Sequence, residues 1–179
     1  SHFSGLEVVE CLLTLGLRYD KYDLKPEVDS MSQQALTAIN RQAVEQSYNQ
    51  TSPKLGAIWK FDETYSAYGQ VATGFRAPNY NEVNGAFRNA AQLYAITPNP
   101  DLKPETSVGV ELGMRAASST ARGQISIYDN RYTDFIENLV LRCPGDPRCV
   151  RIGGVNYVTY MNQNLSNVRI YGAEVRGSW

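Results

Sequence analysis

The sequence predicts an all-β chain whose antiparallel strands form part of a transmembrane β-barrel. Three observations predict it. Apolar and polar residues alternate with period two over about seven segments. The connections alternate between short turns and long loops, as in barrels with short periplasmic turns and long extracellular loops. Aromatic residues gather at the segment ends, where a membrane's two interfaces would lie.

The segments follow in order. Leu13, Leu15, Leu17 and Tyr19 share one face, and Thr14, Gly16, Arg18 and Asp20 the other. Leu55, Ala57, Trp59 and Phe61 face opposite to Lys54, Gly56, Ile58 and Lys60. Beyond a turn at Asp62-Glu63, a strand runs from Tyr65 to Phe75. The cleanest alternation sets Val108, Val110, Leu112 and Met114 against Gly109, Glu111, Gly113 and Arg115. A turn at 117–120 leads to a strand from Gly123 to Ile136. Tyr157 to Asn164 and Arg169 to Trp179 read as a last pair, separated by a turn at 165–168. The long connections fall near 24–52, 76–105 and 137–156. The first of them carries Leu36, Ile39, Ala43 and Val44 at helical spacing within 32–45, so a short amphipathic helix and a mobile loop are both open there.

The faces have the chemistry of a barrel wall. Trp59, Phe61 and Tyr65 sit near a short turn, and Tyr19, Tyr22 and Phe75 near long loops. Arg18, Lys60, Gln70, Glu111, Arg115, Glu174 and Arg176 lie on the opposite face, which suits a hydrated lumen and not lipid. A soluble sheet with one wet face gives the same alternation, so a soluble or surface-anchored β-rich binding module is the alternative of another class. With 17 basic and 18 acidic residues, no charge excess points to nucleic acid. The single histidine is near one end, and no nucleophile–base set or phosphate-cradling glycine loop is present, so the chain does not read as an enzyme.

Cys143 and Cys149 bracket the turn-rich segment Pro144-Gly145-Asp146-Pro147-Arg148. A disulfide there would staple a loop tip in an oxidising compartment. Free thiols and zinc are the competing readings; zinc needs further ligands, and only His2 and Cys11 remain. Cys11 reads as a small buried or lipid-facing residue.

Four motifs carry a family resemblance. Gly74-Phe75-Arg76-Ala77-Pro78 resembles the FRAP box of TonB-dependent outer-membrane receptors of the haem/haemoglobin branch. Asn99-Pro100-Asp101-Leu102-Lys103-Pro104-Glu105 resembles their NPNL box with its following Lys-Pro-Glu. Tyr128 to Ile136 and Tyr160 to Val175 are similar to later barrel strands, and all four stand in family order. The resemblance implies a plug domain followed by a barrel of about 22 strands. The chain lacks a plug and an energy-coupling box, so residues 1–179 are expected to be a middle-to-late piece of that barrel, with Trp179 at a cut point.

The resemblance further implies an outer-membrane receptor that takes up haem, free or from haemoglobin, with energy from the TonB complex acting on the plug. A ferric siderophore is the alternative ligand. No intrinsic cofactor is implied; haem is cargo, and lipid surrounds the wall. Phe75, Arg76, Ala77, Pro78, Tyr80, Tyr94, Asn99, Pro100, Asp101 and Leu102 are the candidate ligand-loop residues. The same residues also read as loop architecture: Arg76 paired with a loop carboxylate, and Pro78 ending a ladder for want of an N–H. The family's axial histidine is missing from 79–98. Tyr80 and Tyr94 are the phenols there that a ferric haem could take, against their being ordinary loop tyrosines.

Overall fold

The computed structural model describes residues 10–179, and His2 lies outside them. The elements in chain order are β1 (Glu10–Leu24), α1 (Ser30–Ala38), β2 (Gln46–Lys60), β3 (Tyr65–Arg76), α2 (Tyr80–Asn84), β4 (Phe87–Asn89), β5 (Tyr94–Thr97), β6 (Glu105–Ala117), β7 (Arg122–Val140), β8 (Arg151–Ile152), β9 (Val155–Asn156) and β10 (Val158–Ser178). Eight strands make one curled sheet in the order β1-β2-β3-β6-β7-β10-β5-β4. The six long strands form an antiparallel meander, β5 joins β10 in parallel, and β8 pairs with β9 apart from the sheet. This is the partial antiparallel barrel that the period-two pattern predicts.

Register turns the alternation into two chemically distinct faces. One row crosses the sheet as Leu13, Ala57, Gly69, Leu112, Ile127 and Ala173. Its neighbours Leu15 and Leu17 are 82% and 76% exposed. Leaving such side chains in water forfeits about 1.5–3 kcal/mol each, so this convex face is built for hydrocarbon. The concave face is polar. Tyr68 donates to Glu111 at 2.7 Å, Gln70 donates to the other Glu111 oxygen at 2.8 Å, and the Arg115 guanidinium lies 4.3 Å over the Tyr68 ring. Tyr68 folds flat across Gly113, where a Cβ would come within 2.5 Å of the ring. Glycine there lets the aromatic cover the strand.

The short turns share one end. In the first, the Asp62 carboxylate accepts from the amides of Thr64 and Tyr65, both at 2.7 Å. The second closes at Ser118, whose amide donates to the Ala121 carbonyl at 2.8 Å. The three long connections, 25–45, 77–104 and 141–157, share the other end.

Four features differ from the sequence reading. Residues 165–168 are not a turn: β10 runs through them, with Leu165 opposite Phe135 and Asn167 opposite Thr133. The irregularity lies on the facing strand, where Asp134 is left-handed at φ 57° and Asn164 donates to its carbonyl at 2.6 Å. Asn164 thus bonds the irregular residue, and the ladder skips only the Ser166–Asp134 pair before it resumes. Second, β2 begins at Gln46, so the first loop is shorter than 24–52. Its pairing with β3 begins only at Lys54, because Pro53 has no N–H to give; Thr73 donates its hydroxyl to the Pro53 carbonyl instead. Third, the helix runs from Ser30 to Ala38, capped by Asp29 and followed by Asn40 at φ 55°, so Ala43 and Val44 fall outside it. Fourth, the stretch between the two proline motifs is structured as α2, β4 and β5.

Candidate functional site

The long connections pack on one another above the loop end of the sheet. Their core joins Leu24, Val83, Leu102 and Ile136, with Val44 and Tyr80 packed against it. A second cluster joins Ala95, Val150 and Tyr157, backed by Ile39 and Ile152. Each cluster draws on all three connections or the strand ends beside them, so the cap is one structure and not three separate loops.

Arg76 is its polar hub. Nε donates to Glu105 at 2.7 Å and Nη2 donates to the second Glu105 oxygen. Nη1 donates to both Glu82 oxygens at 3.0 and 2.9 Å. Glu105 also accepts from the Ile136 amide at 2.7 Å, which ties in β7. Glu82 closes a capping box: the Asn79 amide donates to its carboxylate at 2.8 Å, and its own amide donates to the Asn79 side chain at 3.0 Å. Pro78, fully buried, sits between the hub and this helix start.

Asparagines stitch the remaining backbone. The Asn84 side chain accepts from the Val44 amide at 2.8 Å and donates to the Val44 carbonyl at 3.0 Å. Asn99 donates to the Asn162 carbonyl at 2.7 Å, while its own amide donates to Val83 at 3.0 Å. Asn164 bonds both the amide and the carbonyl of Lys103 at 2.9 Å. These bonds satisfy loop backbone that no sheet partner reaches.

The candidates from the sequence therefore fall into groups. Arg76, Pro78, Asn99 and Leu102 fasten the cap from within. Phe75 and Ala77 are half-buried, and Pro100 and Asp101 are exposed. Tyr80 packs on the first core cluster. Tyr94 stands between Phe87 and Tyr160, with ring centroids 5.6 and 6.4 Å away. Cys143 and Cys149 are joined by a disulfide, their Cα atoms 5.8 Å apart. Inside this loop Arg148 forks onto Asp146, with Nε–Oδ1 at 2.9 Å and Nη2–Oδ2 at 2.7 Å. Those bonds, joined by one from the Arg148 amide, hold the Asp146 carboxyl down at about 2. The Asp29 carboxyl is also lowered, by the Ser32 amide and hydroxyl that it caps.

Two cavities open in the cap. One of about 390 Å³ is lined by the polar Asn79, Asn81, Glu82, Asn138 and Asn162 and by Ala86, Phe87 and Ile96. The other, about 330 Å³, lies where the three connections meet and carries Arg41, Arg148 and Arg151. Sequence reasoning missed Phe87, Asn84, Asn162 and the arginines. The alternating asparagines of 160–164 are a readable signal for a polar strand end, but nothing local says that they reach across to other loops. Among the described residues, no group of three His, Cys, Asp or Glu side chains is placed to hold a metal ion.

Comparison with known proteins agrees with this architecture. The family described as TonB dependent receptor-like, beta-barrel matches residues 10–179. An iron-regulated outer membrane virulence protein of Vibrio cholerae is 33% identical over 128 residues, which cover 69% of this chain and 19% of that protein. A hemoglobin-haptoglobin utilization protein B of Neisseria meningitidis is 27% identical over 176 residues, covering 93% of this chain and 22% of its own length. The chain thus spans about a fifth of these relatives. The solved Serratia marcescens hemophore receptor HasR, in complex with its hemophore HasA and heme, shares the fold. It superposes with a TM-score of 0.63 at 17% identity, over 92% of this chain and 27% of HasR.

Proposed function

Because the chain belongs to the TonB-dependent receptor β-barrel family, whose members are outer-membrane receptors and not enzymes, we propose that it forms part of the wall and ligand cap of a haem receptor. The parent protein takes up haem, free or from haemoglobin, by active transport. The TonB complex supplies the energy through a plug domain of that protein, and residues 10–179 form part of its barrel. Lipid surrounds the convex face.

The observation that carries haem over other iron compounds is the aromatic row that begins in the cap cavity of about 390 Å³ and runs on beside it. Phe87 lines it, Tyr94 stacks beside Phe87, and Tyr160 follows. Aromatic rings stack well on a flat macrocycle, and a tyrosinate can hold ferric iron. The hemoglobin-haptoglobin name of the meningococcal relative supports the same ligand. The test is haem titration of the full-length receptor, wild type against Tyr94→Phe and Tyr80→Phe. Phenolate ligation predicts that Tyr94→Phe loses the tyrosinate-to-iron absorption band. Unchanged spectra in both variants refute phenolate ligation, and a receptor that binds no haem refutes the ligand.

A second reading rests on the smaller cavity. Arg41, Arg148 and Arg151 would suit an anionic ferric siderophore. It predicts that Arg41→Ala with Arg151→Ala weakens ferric-chelate binding and leaves haem binding unchanged.

A further inference from the structure

The convex face carries charge where its neighbours are apolar. Register places Asp129 beside Val110 on one side and Tyr171 on the other, and Arg131 between Val108 and Arg169. All lie on the same face as Ile127, which is 56% exposed. On β6 the convex apolar run extends from Val108 to Ala116, about 26 Å of strand at ~3.3 Å per residue. On β7 it reaches only from Gly123 to Ile127, about 13 Å on the same measure. An outward apolar band is about 25 Å tall, and the charges of β7 lie at the level where β6 still presents Val108 and Val110.

Arg169 forks onto Asp129, with Nε–Oδ1 at 3.0 Å and Nη2–Oδ2 at 2.7 Å, and Arg131 Nη2 lies 3.3 Å from Oδ2. Two guanidiniums thus meet one carboxylate. Among the described contacts, Nη1 of both arginines and Nε of Arg131 take no part, and the two side chains are 69% and 56% exposed. Tyr171, 71% exposed, lies under the Arg169 guanidinium at 4.9 Å and marks an interfacial aromatic position. Among the described residues the pair is net positive and faces outward on the long-loop side of a short apolar run, where the phosphate of an outer-leaflet lipid is chemically complementary to it.

We propose that Arg131 and Arg169 form a binding site for a phosphorylated lipid headgroup of the external leaflet, with Asp129 holding the two guanidiniums as a fork. Guanidinium groups match phosphate oxygens bidentately, and Tyr171 supplies the apolar side of the contact.

The test uses delipidated full-length receptor in detergent, titrated with bis-phosphorylated lipid A and read by native mass spectrometry. Each of Arg131→Ala and Arg169→Ala should weaken binding about fivefold, and the pair about thirtyfold, the usual strength of basic residues against anionic headgroups. Dephosphorylated lipid A should bind weakly and equally to wild type and variants. Asp129→Asn keeps an amide oxygen for the two guanidiniums and removes the competing negative charge, so it should bind phosphorylated lipid at least as tightly as wild type; binding as weak as that of the double arginine variant would overturn the proposal. The proposal is overturned if the double variant, shown folded by heat-modifiable migration, binds phosphorylated lipid A like wild type. It is equally overturned if millimolar inorganic phosphate displaces the lipid completely, which would make this a soluble-anion site.

Discussion

Replacing Arg76 with alanine should loosen the cap while leaving the wall intact. The Arg76 side chain is 43% exposed and that of Glu105 only 9%, so the substitution strands a largely buried carboxylate. The Ile136 amide would be the one remaining bond to Glu105 among those described, and Glu82 would lose its fork as well. Removing one partner of a buried pair costs about 3–5 kcal/mol, and an exposed pair contributes less than about 1. With one partner half-exposed, we take about 2 kcal/mol, which is about thirtyfold in the population of the opened cap. Amide hydrogen exchange on the full-length receptor reads this directly. The amides of Val83, Gly85 and Asn99 each donate to a backbone carbonyl within or beside α2. They should exchange about thirtyfold faster, while mid-strand amides of β3 and β6 keep their rates. Arg76→Lys keeps the charge but not the fork, and should fall between. If protection of residues 77–104 changes less than twofold in Arg76→Ala, the hub does not hold the cap and the argument fails.

Three further outcomes follow from the same structure. Leu112→Arg, in the middle of the convex apolar row, should cost about 2–4 kcal/mol of barrel stability in lipid, measured by denaturant refolding into vesicles; Gln124→Arg on the concave face should cost far less. Denatured but unreduced protein should show one reactive thiol, Cys11, and reduction should reveal two more; three thiols before reduction would rule out the Cys143–Cys149 bridge. Asp146 should titrate near 2 by carboxyl NMR and return towards the unperturbed value of about 3.9 in Arg148→Ala. Its folded pKa is depressed, so its contribution to loop stability is complete above about pH 4 and is lost as pH falls through about 2.

Legibility in the sequence followed the range of the physics. The wall was readable because lipid on one side and water on the other impose period two residue by residue, as in Val108 to Arg115. Leu165-Ser166-Asn167-Val168 misled for a local reason: Ser and Asn favour turns, but here the facing strand Tyr132–Ile136 supplies partners, and Asn164 bonds the irregular Asp134. The pairing of Arg76 with a loop carboxylate was legible as a type of contact, and the identity of Glu105 and Glu82 was not. Glu105 lies 29 residues away and is delivered by the β3–β6 register, which no short window contains. Asn84 illustrates the same limit: its reach to Val44 spans 40 residues. The aromatic row Phe87–Tyr94–Tyr160 depends on β5 adding in parallel to β10, a pairing with no local signature.

The most direct test is growth of an iron-starved host lacking its own haem receptors, carrying the full-length gene and supplied with haem or haemoglobin as sole iron source. Growth that disappears on deletion of TonB, and falls sharply when residues 77–104 are replaced by a short linker, is the predicted result. Growth on ferric siderophore alone, or haem-dependent growth unaffected by loss of that loop, would contradict it.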